Sequence, residues 1–216
     1  MPHQADTLFS PTFPYCDVKL APYVFAPREA EQLLEQAGWK RVADTPSRAK
    51  DGKELAIDLA YVGGDPVMKS IAEVVQSDLR KVGIRVAPLG EEEDSYNNRQ
   101  KTGEYGIIYN ETWGAPYDPH SYVSSMRAPR HADYQAQLGL PMKAEIDAKI
   151  GEVLVTTDQA KRRQIYKEIL ATLHEHAVYL PISYQVGILV HREVLTGVAY
   201  GATQYEIPFG KTGRKQ

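Results

Sequence analysis

Residues 55–89 read LAIDLAYVGGDPVMKSIAEVVQSDLRKVGIRVAPL, and their pattern indicates the fold class. Over Leu55–Val62 the large side chains of Leu55, Ile57, Leu59 and Tyr61 fall on one face at every second position, a pattern that predicts a strand. Pro66–Val82 carries apolar residues at helical spacing, and a second strand is predicted over Ile84–Leu89. The apolar stripe predicted to face the core of this helix comprises Val67, Ile71, Val74, Val75, Leu79 and Val82.

The same order of elements continues beyond this stretch. A polar helix is predicted over Glu91–Thr102, followed by a third strand over Tyr105–Tyr109. Strands that alternate with helices are typical of parallel pairing through crossover connections, so the sequence predicts an α/β fold. Outside this region we expect helices over 27–37, 143–155 and 158–176, a strand over 179–190 and an extended segment over 198–209.

Composition narrows the possible functions. The 216 residues carry a net charge of −3, which offers no basic surface for nucleic acid. No apolar run approaches the roughly 18 residues that a membrane span needs, so the chain is not expected to cross a membrane. The N-terminus has no charged segment followed by an apolar one, so we expect no signal peptide of its own. We therefore expect the chain to be a mature form or a fragment.

The segment Thr112–His131, TWGAPYDPHSYVSSMRAPRH, is rich in rings and interrupted by prolines. Buried rings with polar tips need hydrogen-bonding partners, so such a segment is costly to bury as ordinary core. It favours an aromatic surface presented to a ligand, with imidazoles close enough to reach a metal. A loop whose rings only fill space is the alternative that the residues leave open.

The sequence motifs give little support for an enzyme. Asp118, His120 and His131 suggest a hydrolytic metal centre, but a catalytic zinc needs three protein ligands at a fixed geometry and no such spacing is recognisable. Nucleophile elbows and phosphate loops are also missing from the sequence. We therefore expect a protein that is not an enzyme.

Six runs of sequence are informative together: ADTLFSPTFPY (5–15), EQLLEQAGWK (31–40), GEEEDSYNNRQ (90–100), TWGAPYDPHSYVSSMRAPRHADYQAQ (112–137), IGEVLVTTD (150–158) and HAVYLPISY (176–184). These runs, spread over nearly the whole chain, resemble the carboxy-terminal half of nickel-binding members of the extracytoplasmic solute-binding family 5. The segment 112–131 is the run that separates nickel binders from the peptide receptors of the same family.

The resemblance implies a ligand and a site. In this family two lobes close over the ligand, and nickel(II) arrives as a complex with a small organic chelator. The matching positions make His131 the direct metal ligand and place Trp113 and Tyr117 along the chelate. Nickel favours four to six nitrogen and oxygen donors, so a single imidazole leaves the remaining donors to the chelator.

Three further positions are expected to line the ligand through the same resemblance. Tyr96 lies one position before the family's tyrosine, where this chain has Asn97. Tyr205 stands where the family has a threonine, and Thr203 lies close by.

The resemblance also implies an organisation and partners. We expect residues 1–186 to form one lobe of a two-lobed, periplasmic-binding-protein-like fold, and residues 187–216 to return toward the N-terminal lobe, which this chain lacks. We expect weak nickel–chelate binding, or none, in the absence of that lobe. The partner is then the membrane permease of an ABC importer, with periplasmic localisation for the full-length family member. A dipeptide or oligopeptide receptor lobe is the nearest alternative, and a metal-dependent hydrolase a more distant one.

Overall fold

The computed structural model describes residues 3–113, 119–185, 187–201 and 206–215, which form a mixture of helices and short strands. In chain order the helices are α1 (Pro27–Gln36), α2 (Pro66–Lys81), α3 (Glu93–Thr102), α4 (Pro119–Ser125), α5 (Ala132–Gln137), α6 (Lys143–Val155) and α7 (Gln159–Glu175). The strands are β1 (His3–Gln4), β2 (Lys40–Arg41), β3 (Arg48–Lys50), β4 (Lys53–Glu54), β5 (Ala56–Val62), β6 (Arg85–Glu91), β7 (Ile107–Ile108), β8 (Ser183–Tyr184), β9 (Leu195–Thr196) and β10 (Gly213–Arg214).

The chain divides into two compact units, which we call the sheet unit and the helical unit. The boundary predicted after residue 186 falls inside the helical unit, and a separate return segment over 187–216 stays a prediction. The sheet unit comprises residues 23–111 and 126–140, and the helical unit comprises residues 1–22, 112–125 and 141–216.

A parallel sheet forms the centre of the sheet unit. Strand β5 pairs in parallel with β6 on one side and with β7 on the other. Helix α2 connects β5 to β6 and α3 connects β6 to β7, so the predicted order of strands and helices is confirmed. Parallel strands need a crossover connection, and the two helices supply it here. The buried residues at the core of this unit are Leu59, Tyr61, Ala72 and Val86.

Helix α2 begins as predicted but faces the sheet with a different stripe. Pro66 occupies its first turn, and Asp65 caps it by accepting hydrogen bonds from the backbone N–H groups of Val67 and Met68 at 2.7 and 2.9 Å. The predicted stripe is wrong in part, because Val67 and Val74 are 63% and 61% exposed. The sequence supports two overlapping stripes, and the one that packs on the sheet comprises Met68, Ala72, Val75 and Leu79.

The buried guanidinium of Arg48 links the elements at one end of the sheet unit. Its Nε donates to the Val82 carbonyl at 2.7 Å, and its Nη1 donates to the Trp39 carbonyl at 2.9 Å. The same group pairs with Glu35 and Glu31 of α1. Helix α1 has no buried residue of its own, so these contacts help to hold it against the antiparallel sheet β2–β3–β4.

Helices α6 and α7 supply much of the core of the helical unit. Their positions confirm the helices predicted over 143–155 and 158–176. Lys149 of α6 reaches across to Glu168 of α7 with an N–O distance of 3.1 Å. No helix in the described ranges is long and apolar enough to span a membrane. The buried residues of the two helices are Ile146, Ile150, Val153, Ile165, Tyr166, Ile169, Leu170 and Leu173.

The end of the chain contains less strand than its apolar pattern predicts. Of the strand expected over 179–190, only β8 is regular among the residues described there, and β8 pairs with β1. Beyond it, Ile188, Val190 and Phe209 are 81%, 89% and 76% exposed. A strand needs a pairing partner, and in this part of the chain the described residues pair β8 with β1 and β9 with β10.

Candidate functional site

His131, the predicted metal ligand, lies immediately before α5 with an extended backbone (φ −127°, ψ 142°). Its side chain is 24% exposed, whereas that of Asp133, two residues later, is only 2% exposed. The imidazole Nδ1 lies 2.8 Å from the Asp133 carboxylate and 3.4 Å from the Asp133 backbone nitrogen. The site therefore consists of an accessible imidazole in contact with a buried carboxylate.

Helix α5 is fixed within the sheet unit by hydrogen bonds at its N-terminal end. The Tyr105 hydroxyl donates to the Ala132 carbonyl at 2.7 Å, and the Gln135 side chain donates to the Pro129 carbonyl at 2.7 Å. Gly103 ends α3 in a left-handed conformation (φ 75°), and a Cβ on it would lie 2.5 Å from Oε1 of Gln135. The left-handed backbone at Gly103, together with the approach of the Gln135 side chain, favours glycine at this position.

The half-buried position of Tyr105 next to α5 changes the pKa of its phenol. Burial raises the pKa of Tyr105 from 10.0 to about 12, and the negative charge of Asp133 contributes to the same shift. Both effects disfavour the phenolate. The unfolded chain therefore loses this proton at a lower pH than the folded chain does.

This difference predicts a loss of stability in alkali. The contribution of Tyr105 is fully present below pH 10.0 and is lost as the pH rises toward about 12. The free energy of unfolding of Tyr105→Phe should fall less steeply over this range than that of the wild-type chain. Urea unfolding at a series of pH values measures both slopes. Parallel curves for the two proteins would contradict the assignment.

Tyr96, predicted to line a ligand, lies on α3 and is 6% exposed. Its hydroxyl donates a hydrogen bond to the Tyr109 carbonyl, and burial raises its pKa. These contacts connect α3 to the end of β7. A role for Tyr96 against a ligand stays a prediction.

Trp113, predicted to face the chelate, lies in the helical unit and is 44% exposed. Its ring meets Tyr122 of α4 edge to face, with centroids 4.7 Å apart, and Tyr122 in turn contacts Phe9 at 5.4 Å. Tyr122 is 2% exposed, so the aromatic segment is neither all surface nor all core. Of its rings, Trp113 retains a substantial accessible face.

Most of the other predicted site residues lie in two segments outside the described ranges. Tyr117, Thr203 and Tyr205 lie outside the described residues, and so does Asp118 of the hydrolase alternative. His120 lies in the first turn of α4 and is half-buried. Within the ranges that the structure describes, no three His, Cys, Asp or Glu side chains are grouped closely enough to hold a metal ion.

Asp133 is the site residue that reasoning from the sequence missed. The signal was present, because an acidic side chain two residues after a candidate ligand can reach its imidazole. Metal-binding histidines commonly donate their second ring N–H to a carboxylate. Asp133 follows His131 at that spacing, but the distance and the burial of the carboxylate emerge only from the fold.

Residues 2–134 match the model of the bacterial extracellular solute-binding proteins, family 5 Middle. The nickel-binding periplasmic protein of Escherichia coli (strain K12) is 48% identical over 205 residues, which are 95% of this chain and 39% of that protein. The dipeptide-binding protein of the same strain is 23% identical over 208 residues, which are 96% of this chain and 36% of that protein.

Among solved structures, NikA from Brucella suis in complex with Fe(III)-EDTA aligns with a TM-score of 0.91 at 52% identity. The alignment covers 99% of this chain and 43% of that one, so the chain spans well under half the length of these relatives. The predicted periplasmic-binding-protein-like fold is confirmed, and the expectation of a protein that is not an enzyme agrees with relatives named for binding. The chain belongs to family 5 of the bacterial extracellular solute-binding proteins.

Proposed function

We propose that this chain supplies part of the binding site for nickel(II) carried by a small organic chelator. His131 binds the metal directly, and the complex is delivered in the periplasm to the membrane permease of an ABC importer. Trp113 and Tyr117 pack against the chelator, and Tyr96, Thr203 and Tyr205 complete the lining in this proposal.

The observation that supports the proposal is an accessible imidazole at the residue that matches the family's metal ligand. His131 is 24% exposed, and no group of three metal-ligating side chains accompanies it among the described residues. Nickel in four to six coordination needs more donors than one histidine provides. A chelator would supply the remaining nitrogen and oxygen donors of the nickel ion.

The relatives support the same chemistry. One is named for binding nickel, and another was solved with Fe(III)-EDTA, a metal held by an organic chelator. The exposed indole of Trp113 suits the apolar parts of such a chelator, because aromatic faces bury flat organic surface effectively.

A titration followed by NMR tests the proposal and separates it from the peptide-receptor alternative. Nickel mixed with an equal amount of L-histidine is added to the ¹⁵N-labelled chain, and a simple dipeptide is added to a second sample. Paramagnetic nickel broadens nearby signals even when binding is weak. We expect selective broadening at His131 and along α5 with nickel–histidine, and no change there with the dipeptide.

Two control titrations are needed. Histidine without nickel accounts for any effect of the chelator alone, and nickel alone accounts for binding to exposed imidazoles such as that of His191. Shifts near α5 that follow the dipeptide and ignore nickel–histidine would overturn the proposal in favour of a peptide receptor.

A further inference from the structure

The backbone of His131 is held between a tight turn and a helix. Its N–H donates to the Ala128 carbonyl at 3.0 Å, which closes a turn over 128–131. Pro129 occupies the second position of this turn, where its fixed φ is favourable. The His131 carbonyl accepts from the backbone N–H of Gln135 at 3.1 Å, as expected for the residue that precedes a helix. The proposed metal ligand therefore joins the turn to α5.

The side chain of Gln135 returns from α5 to the same turn. Its Nε2 donates to the Pro129 carbonyl at 2.7 Å, so this one residue binds the chain on both sides of His131. The acceptor is a carbonyl, and therefore the amide presents its NH₂ group to Pro129 and not its oxygen. The two hydrogen bonds of Gln135 close the turn and the start of α5 into one unit.

The end of α3 limits the movement of this side chain. A Cβ on Gly103 would lie 2.5 Å from Oε1 of Gln135 and 3.1 Å from its Cδ, so the amide passes close to the glycine. Helix α5 is fixed in turn by Tyr105, whose hydroxyl donates to the Ala132 carbonyl at 2.7 Å. The hydrogen bond to Pro129 therefore extends from a helix that other contacts already hold.

We propose that Gln135 is a positioning residue for the metal ligand: it holds the turn 128–131 against α5 and so fixes the backbone from which the His131 imidazole projects. Metal coordination tolerates deviations of only about 0.2 Å in distance, so a displaced backbone weakens binding. A ligand that is ordered beforehand also loses less conformational freedom when it binds. The role in metal binding rests on the function proposed above, but the hold on the turn does not.

Hydrogen exchange followed by NMR measures the hold on the turn without any metal. The His131 amide should exchange at least about 10-fold more slowly in the wild-type chain than in an unstructured peptide. Gln135→Met keeps the length and the helix preference of the side chain but removes the donor. We expect it to accelerate the exchange of this amide by about 3- to 10-fold, the effect of one neutral hydrogen bond.

Gln76→Met is the matched control. Gln76 lies in α2 of the same unit, and its Nε2 also donates to a backbone carbonyl, that of Val86, at 2.9 Å. The substitution removes the same kind of hydrogen bond from a part of the sheet unit that does not carry the turn. It should leave the exchange rate of the His131 amide unchanged.

The nickel–histidine titration measures the consequence for metal binding. Gln135→Met should weaken binding at His131 by about 3- to 10-fold, because the ligand is then less ordered before it binds. Gln76→Met should bind nickel–histidine as the wild-type chain does. Urea unfolding gives the folded fraction of each variant, and the titrations are compared for the folded protein. A role of Gln135 in stability alone would leave binding by the folded variant unchanged.

The outcomes distinguish this proposal from the function on which it rests. A His131 amide that exchanges in the wild-type chain as fast as in an unstructured peptide overturns the role of Gln135, and this result needs no variant. Wild-type nickel binding by folded Gln135→Met, or equal weakening in Gln76→Met, also overturns it. Accelerated exchange in Gln135→Met together with no nickel effect at His131 in the wild-type chain overturns the proposed function and supports only the hold on the turn.

Discussion

Replacing His131 by alanine is expected to remove detectable binding of nickel–histidine by this chain. Loss of an outer partner of a metal-binding histidine already costs about 10- to 100-fold in affinity, and loss of the ligand itself should cost at least the upper end of that range. The 24% exposed imidazole is the single metal-ligating group that the proposed site contributes. Nickel-induced broadening along α5 should therefore disappear in the variant.

A matched variant guards against a general effect of removing imidazoles. His191→Ala deletes an exposed histidine whose Nδ1 contacts the Arg192 carbonyl, far along the chain from α5. We expect its nickel–histidine titration to follow that of the wild-type chain. Unchanged broadening along α5 in His131→Ala would contradict the assignment of His131 as the ligand.

The second large effect concerns stability. Replacing Arg48 by methionine keeps an apolar stem but removes the guanidinium, and we expect it to lower the free energy of unfolding by about 3 kcal/mol. The carbonyls of Val82 and Trp39 would each lose a donor, and Glu35 would lose one of its cationic partners. Leaving buried acceptors unsatisfied costs more than the net value of the bonds that hold them.

Arg41→Met provides the comparison for this prediction. Arg41 pairs with the same Glu31 and also donates to the Lys81 carbonyl, but its side chain is 42% exposed against 2% for Arg48. Exposed ion pairs contribute about 0–1 kcal/mol, so the effect should be correspondingly small. Denaturant unfolding followed by circular dichroism measures both variants. Equal losses would show that the burial of Arg48 is not what stabilises the sheet unit.

Local periodicity predicted much of the sheet unit because its elements are defined by short-range patterns. Strand β5, the Pro66 start of α2 and the return to a strand at β6 all follow from the spacing of apolar residues and from turn chemistry. The spacing of apolar residues does not identify which face of α2 packs on the sheet. Val67 and Val74 fit a helical stripe as well as Met68 and Ala72 do. Only the position of the sheet selects between the two.

Two features escaped prediction because they depend on distant parts of the chain. The stretch 39–52 is polar and rich in turns, yet Arg48 is buried there because the Val82 carbonyl and the acidic residues of α1 approach it. Asp133 lies in the short helix α5, which the apolar periodicity does not predict. Its contact with His131 depends on the rotamers and on the packing of α5, which no periodicity encodes.

Nickel-edge X-ray absorption of the nickel–histidine complex, with and without excess chain, tests whether His131 binds nickel directly. With the wild-type chain we predict one additional imidazole nitrogen around nickel, and in His131→Ala we predict the spectrum of the complex alone. Identical spectra for nickel in the presence of the wild-type chain and of the folded variant would contradict direct coordination by His131.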